Sequence, residues 1–443
     1  MAEEKSINRR QFLKQTAGAM IGGIVFPSII PSSALGRANR IAPSEKITVG
    51  CVGMGGMGRE NMKTFLNESD SHVLAVCDVD AGHLERAKIQ VDEFYGNSDC
   101  ATYKDFRELI TRNDIDVISL ATPDHWHAVV AIAAAKAGKD IYGEKPFSHS
   151  LIEGRAMCDA VKRYGRVWQT GSWQRSQANF RFACELVING RIGKVHSIEV
   201  GLPEGHDYAG RGSGETVTTP PKELDYNFWL GPAPYSPYVP ARVHYNWRWI
   251  LEYGGGQLMD WVGHHVDIAH WGVGLDYTGP IEVEGVGEFP VTGLWNSPSR
   301  YRINTKYANG IRMTIAGGHD DIRGGTKWIG KDGWVWVSRG GIETFPKSLL
   351  REKFGPEEIH LLRIQNPIDH EGHTRNFLDC VRSRATTLSP SEVAHRSATP
   401  GHLGQIAMLL GRKIRFNPET EEIIGDATAS RMLGNAMRSP WHL

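Results

Sequence analysis

The sequence predicts an α/β fold that begins with a doubly wound parallel sheet. Three observations carry this: a glycine-rich turn between an apolar run and a helical stretch, an acidic residue closing the next strand, and an alternation of strands and helices that continues to about residue 164. The first strand is the β-branched run Ile47–Val52, and residues 59–66 continue as a helix. Between them Gly53, Gly55 and Gly58 spell G-x-G-x-x-G in the strand–turn–helix setting that a dinucleotide turn requires. The first glycine permits the tight turn, the second lets the backbone approach a pyrophosphate, and the third lets the helix pack closely on the strand. The helix N-terminus then faces the phosphates. Gly53, Met54, Gly55, Gly56, Met57 and Gly58 are therefore candidate cofactor contacts.

The second strand, residues 72–77, ends at Asp78. A carboxylate there accepts hydrogen bonds from ribose hydroxyls and repels a 2′-phosphate, so NAD is expected rather than NADP. Strands over 116–121 and 140–142 and helices over 128–137 and 151–164 extend the alternation. Ligands of such sheets gather beyond the carboxyl ends of the strands. Two segments lie there: Thr122 and Pro123 leading to His125, Trp126 and His127, and the tripeptide Glu144-Lys145-Pro146. Thr122, Pro123, His127, Glu144, Lys145 and Pro146 complete the set of candidate cofactor residues.

At 443 residues the chain exceeds one ordinary core. Its expected division is a leading segment 1–36, a dinucleotide domain 46–175 and a second domain 176–443. Fifty lysines and arginines balance fifty acidic residues, which leaves no electrostatic footprint for nucleic acid or an anionic membrane. The six cysteines show neither a C-x-x-C pair nor a disulfide framework. No His/Asp/Glu spacing announces a metal, and no G-x-S-x-G elbow announces a serine hydrolase. Residues Asn8 to Lys14 resemble a twin-arginine signal, followed by a weakly apolar stretch broken by Gly18, Gly22, Gly23 and Pro27. That stretch is too short to span a membrane, and Ser32, Ser33 and Ala34 offer a cleavage region. Export to the periplasm, already folded around a cofactor, is the expectation.

In the second half, residues 257–271 have helical spacing that sets Asp260, His264 and Asp267 on one face. This stripe reads equally as a catalytic group or as exposed salt-bridging. Trp173, Gln174 and Arg175, and the aromatic segment His244 to Trp249 with His244 and Arg248, are candidate sugar contacts, with core packing as the alternative.

The glycine turn, the Glu144-Lys145-Pro146 tripeptide and the segment from Gly254 to Asp267, taken in order, resemble the Gfo/Idh/MocA oxidoreductases. The resemblance runs from about Lys46 to the closing segment around His395 to Glu419. It implies a second α+β domain with a largely antiparallel sheet and a homodimer or homotetramer. It further implies that Lys145 lies beside the nicotinamide, often with a cis bond before Pro146, and that Asp260 and His264 complete the catalytic group. One departure is that the family's glycine two residues after the aspartate is Val262 here, and Gly263 follows. On this reading His264 takes a hydroxyl proton, Asp260 orients it, and Lys145 hydrogen-bonds the reacting oxygen. His265, about 100° round the helix, is a substrate contact or a structural residue. The expected function is oxidation of a secondary hydroxyl of a sugar or glycoside with tightly held NAD. The alternatives are glycoside cleavage through transient oxidation and elimination, and non-catalytic sugar or nucleotide binding.

Overall fold

The computed structural model describes residues 41–205, 216–364 and 369–443, so the twin-arginine segment lies outside the described residues. The first sheet follows the expected alternation: β1 Ile47–Val52, α1 Gly56–Asn67, β2 Ser71–Cys77, α2 Ala81–Tyr95, β3 Ala101–Tyr103, α3 Phe106–Ile110, β4 Val117–Leu120, α4 Asp124–Lys136, β5 Asp140–Gly143, α5 Leu151–Arg163 and β6 Trp168–Thr170. Its order is β3-β2-β1-β4-β5-β6 with every pair parallel. The chain therefore leaves β1 to opposite sides through β2 and β4, which opens a crevice at their carboxyl ends.

Two glycines make that crevice possible. Gly53 has φ +85°, and a Cβ there would lie 2.7 Å from the Ala121 backbone. A Cβ on Gly58 would lie 1.8 Å from the Gly53 carbonyl oxygen, so only glycine lets α1 start this close to the end of β1.

The second sheet holds nine strands: β7 Val195–Leu202, β8 Glu282–Glu288, β9 Arg300–Lys306, β10 Arg312–Gly317, β11 Gly325–Gly330, β12 Trp334–Ser338, β13 Gly341–Phe345, β14 Ile414–Asn417 and β15 Glu422–Ile423. Their order is β13-β12-β11-β7-β10-β9-β8-β14-β15. The pair β7–β10 is parallel and the others are antiparallel. Helices α6 Ala178–Ile188, α7 Tyr226–Leu230, α8 Gly256–Trp261, α9 Asp267–Trp271, α10 Asp369–Ser383 and α11 Ser391–Leu410 accompany it. Val200, Ile303, Ile315 and Trp328 of this sheet share a fully buried core with Leu258, Val262, Val266 and Leu403.

Helix α10 returns to the first sheet. Phe377 packs edge-on against Phe65 and Tyr142, and Arg375 pairs with Asp70 at 2.6 Å. The dinucleotide sheet is thus completed by residues far beyond 175. All six cysteines are buried free thiols. Among the described residues no helix is long and apolar enough to cross a membrane.

Helix α5 is tied to α11 by Arg155, whose guanidinium meets Glu392 at 2.8 Å and Glu421 at 2.7 Å. Burial would raise the Glu392 carboxyl, but Arg155 and Arg396 outweigh it and hold it down from 4.5 to about 2. A depressed carboxylate stabilises the fold above its unfolded value and loses that contribution as pH falls through the folded one. Thermal unfolding should therefore show about 1–2 kcal/mol less stability at pH 3 than at pH 5, after discounting for partial exposure. Glu392→Gln should flatten that slope.

Candidate active site

A cavity of about 590 Å³ opens at the crevice and runs from the glycine turn to the second half of the chain. At one end Gly55 and Gly56 form a floor on which an added Cβ would meet nothing within 4 Å. In the same cavity, the buried Thr122 hydroxyl has no hydrogen-bond partner among the described residues. A bare glycine floor, the start of helix α1 and an unpaired hydroxyl fit a dinucleotide pyrophosphate. Asp78 stands at the rim, its carboxylate accepting from the Met54 amide at 2.6 Å and from the Asp80 amide at 2.8 Å.

The reactive end is built by two elements. The Lys145–Pro146 bond is cis, and Lys145 Nζ donates to Asp260 Oδ1 at 2.8 Å and to the Asp260 carbonyl at 3.0 Å. Arg248 Nε lies 3.8 Å from the same Oδ1, and its guanidinium lies 4.7 Å from the Tyr245 ring centroid and 4.5 Å from that of Trp247. Burial would raise the Asp260 carboxyl, yet Lys145, Arg248 and Arg339 hold it below the usual carboxylate range. Glu144 supports the loop from beneath: its side chain accepts from Asn61 of α1 at 2.9 Å and from the Lys145 amide at 3.2 Å.

After Asp260 the chain departs from the continuous α-helix that the spacing suggests. Residues Val262–Val266 form a wider π-helical turn before α9. Residues distant in sequence meet it there: the Ser172 hydroxyl donates to the Gly263 carbonyl at 2.6 Å, and a Cβ on Gly263 would lie 2.9 Å from Lys145 Cβ. Gly263 thus provides the close approach to Lys145 despite Val262 before it. The wide turn also dissolves the single stripe. Asp267 is fully buried and binds Arg175 at 2.6 Å, far from any hydroxyl chemistry.

The cavity gathers Gly53, Gly55, Gly56, Met57, Asp78, Thr122, Pro123, Glu144 and Lys145 of the expected cofactor set. Four others serve the scaffold. Met54 is a core side chain, and Gly58 is the close-packing glycine. Pro146 carries the carbonyl that His127 Nδ1 meets at 2.9 Å, while His127 Nε2 meets the Thr122 carbonyl at 3.0 Å. Burial pushes His127 down to about 4, and its ring spans the gap between the Thr122 and Pro146 carbonyls.

Of the expected sugar contacts, Lys145, His244, Arg248 and Asp260 line the cavity. Gln174 and Arg175 do not: both are buried, and Arg175 is locked between Asp267 and Asp276. His265 is likewise internal, stacked on Trp261 and beside Thr326, and burial pushes it down to about 3. His264 and Trp173 also fall outside the cavity lining: His264 is buried with its ring edge-on to Trp173 and Trp261, and Arg339 lies over both indoles. Arg175→Met should cost about 3–5 kcal/mol in urea unfolding, because two carboxylates lose their cation, without changing the cofactor content of the folded fraction.

Sequence reasoning passed over Asp124, the first residue of α4, which lines the same cavity. Burial, then the nearby Asp260 charge, pushes its carboxyl well above the usual range, and it makes no ion pair among the described residues. Following a proline at a helix start, it reads in sequence as an ordinary first-turn acid. Only the fold shows it buried beside Asp260.

Two family models match: an oxidoreductase-family NAD-binding Rossmann fold over residues 47–172 and an oxidoreductase-family C-terminal alpha/beta domain over residues 176–443. A curated relative, the alpha-N-acetylgalactosaminidase of Shewanella oneidensis, is 30% identical over 177 residues, which is 36% of this chain and 38% of that one. The match thus spans well under half the length of the relative. Among solved structures, the WlbA dehydrogenase of Bordetella pertussis in complex with NADH and UDP-GlcNAcA superposes with TM-score 0.60 at 18% identity, covering 84% of this chain and 99% of that one. The aldose-aldose oxidoreductase of Caulobacter crescentus complexed with glycerol gives TM-score 0.59 at 18% identity, covering 84% and 100%. At such identity these two establish likeness of fold.

Proposed function

The chain belongs to the Gfo/Idh/MocA oxidoreductase family, and from that premise we propose that it oxidises a secondary hydroxyl of a sugar or glycoside with NAD. The observation that carries this reading is the Lys145–Asp260 pair, set 2.8 Å apart on the wall of the cavity whose other end is the glycine turn. Tightly held NAD would supply the hydride acceptor, and a second carbonyl substrate, or the same substrate later in the cycle, would take the hydride back and complete the recycling. The protein's own task is then to hold the carbinol and remove its hydroxyl proton.

Lys145 donates a hydrogen bond to the reacting oxygen and stabilises the developing alkoxide. Asp260, kept ionised by its cationic neighbours, is a weak base and a firm anchor for Lys145. The proton's acceptor on this reading is His264, a residue type whose ordinary range suits that role at neutral pH, and its ring must turn out from beside Trp173 and Trp261 to reach the cavity. The flat faces of Tyr245 and Trp247 beside Arg248 suit sugar C–H surfaces. Asp78 at the rim supports NAD over NADP. The twin-arginine segment supports export with the cofactor aboard, and the family supports a homo-oligomer.

The similarity to an alpha-N-acetylgalactosaminidase favours one second reading. There, a transient ketone acidifies the neighbouring C–H, a proton is withdrawn, the glycosidic bond breaks by elimination, and water addition and reduction restore the sugar. Denaturing twice-desalted protein should release about one equivalent of NAD(H) per chain, and an empty supernatant would sink the recycled cofactor. Release of nitrophenol from a nitrophenyl glycoside without added NAD would move the assignment to cleavage.

A further inference from the structure

Asp80, His83 and His244 stand together on the cavity wall with Asp78, and none of them carries the proton or hydride steps above. They reach this place from two separate elements. Asp80 precedes α2 and caps it through Oδ1, which accepts from the His83 amide at 2.9 Å. This leaves Oδ2 turned towards His244, whose Nε2 lies 4.0 Å away. The His83 and His244 rings meet edge-on with centroids 5.2 Å apart. One ligand atom from each of the three residues lies within 4.8 Å of the others, a spacing that no other group of three His, Cys, Asp or Glu reaches among the described residues.

Two further observations mark this as more than surface crowding. His244 has φ +54°, a left-handed conformation that costs a non-glycine residue energy. Such strain persists where the surroundings impose it, characteristically at functional sites. Behind the cluster, Asp78 Oδ2 lies 3.5 Å from His83 Nδ1, so a small turn of the ring sets up the carboxylate–imidazole hydrogen bond that orients metal-ligating histidines.

We propose that Asp80, His83 and His244 bind a divalent transition cation of the zinc class, which ties the β2–α2 turn to the His244 segment across the cavity mouth. Two imidazoles and one carboxylate are the donor set that borderline cations favour. Tetrahedral ligands at bonds of about 2.0–2.1 Å lie about 3.4 Å apart, so modest rotation of the half-exposed His244 side chain closes the site. The exposure of His244 leaves room for water at a fourth position. No spacing in the sequence announces the site, because His244 lies far along the chain from His83.

The test uses tag-free, full-length protein as purified, stripped with a chelator and titrated with cobalt(II) chloride by visible absorption and with zinc chloride by calorimetry. The expected result is one saturable equivalent, with the cobalt absorption of an N/O site. His83→Ala and His244→Asn should each weaken binding at least tenfold. Asparagine tolerates the left-handed backbone at 244, so that variant keeps the fold. No saturable binding, or one equivalent that survives both substitutions, would overturn the proposal.

Discussion

Lys145→Met lowers kcat by about 10²–10³-fold, the loss expected when one preorganised donor to a developing oxyanion is removed. The same change leaves Asp260 with Arg248 at 3.8 Å as its nearest cation. Removing one partner of a largely buried pair strands the other charge, so the melting temperature falls by the equivalent of about 1–3 kcal/mol. Adding Asp260→Asn to Lys145→Met restores that stability, because no uncompensated carboxylate remains, but does not restore turnover. The double-mutant cycle separates the structural from the chemical part of the pair. Recovery of turnover in the double variant would show that Lys145 acts through the fold alone.

Gly58→Val and Gly55→Ala should differ sharply although both lie in the same glycine motif. A Cβ on Gly58 would lie 1.8 Å from the Gly53 carbonyl oxygen, a backbone atom that cannot rotate away. Helix α1 must then part from β1, and the cost exceeds about 3 kcal/mol, the level of severe overpacking. Gly55 has nothing within 4 Å of an added Cβ, so Gly55→Ala folds normally but raises the cofactor floor. The expected readouts are a collapse of soluble, cofactor-bearing protein for Gly58→Val and an unchanged melting curve of cofactor-stripped Gly55→Ala with weaker NAD binding.

The dinucleotide half was legible because each of its signals is local. The strand Ile47–Val52, the glycine turn, Asp78 and the Lys145 segment each announce themselves within a few residues. The second half was less legible because its cues are distant. Ser172 and Lys145, from the first half of the chain, divert the helix after Asp260 into a wide turn, and no periodicity within 257–271 carries that information. Arg175 looked like a polar residue at a site opening, and only its buried partners Asp267 and Asp276 show it to be internal. The segment around Pro400, Gly401 and Gly404 has breakers enough to stop an isolated helix, yet α11 runs through it. There the missing side chains serve packing: a Cβ on Gly404 would meet Ile303 at 2.4 Å, and one on Gly401 would meet Met259 at 2.7 Å. Tertiary contact overrides local propensity at such positions.

The most direct measurement of the central claim follows the nicotinamide absorption band of twice-desalted protein mixed with a panel of sugars and glycosides, without added cofactor. The expected result is reduction of up to one equivalent of bound NAD per chain by at least one sugar, and its loss in Asp260→Asn with cofactor still bound. A band that no sugar moves, in protein shown to carry oxidised NAD, would contradict hydroxyl oxidation at the Lys145–Asp260 pair.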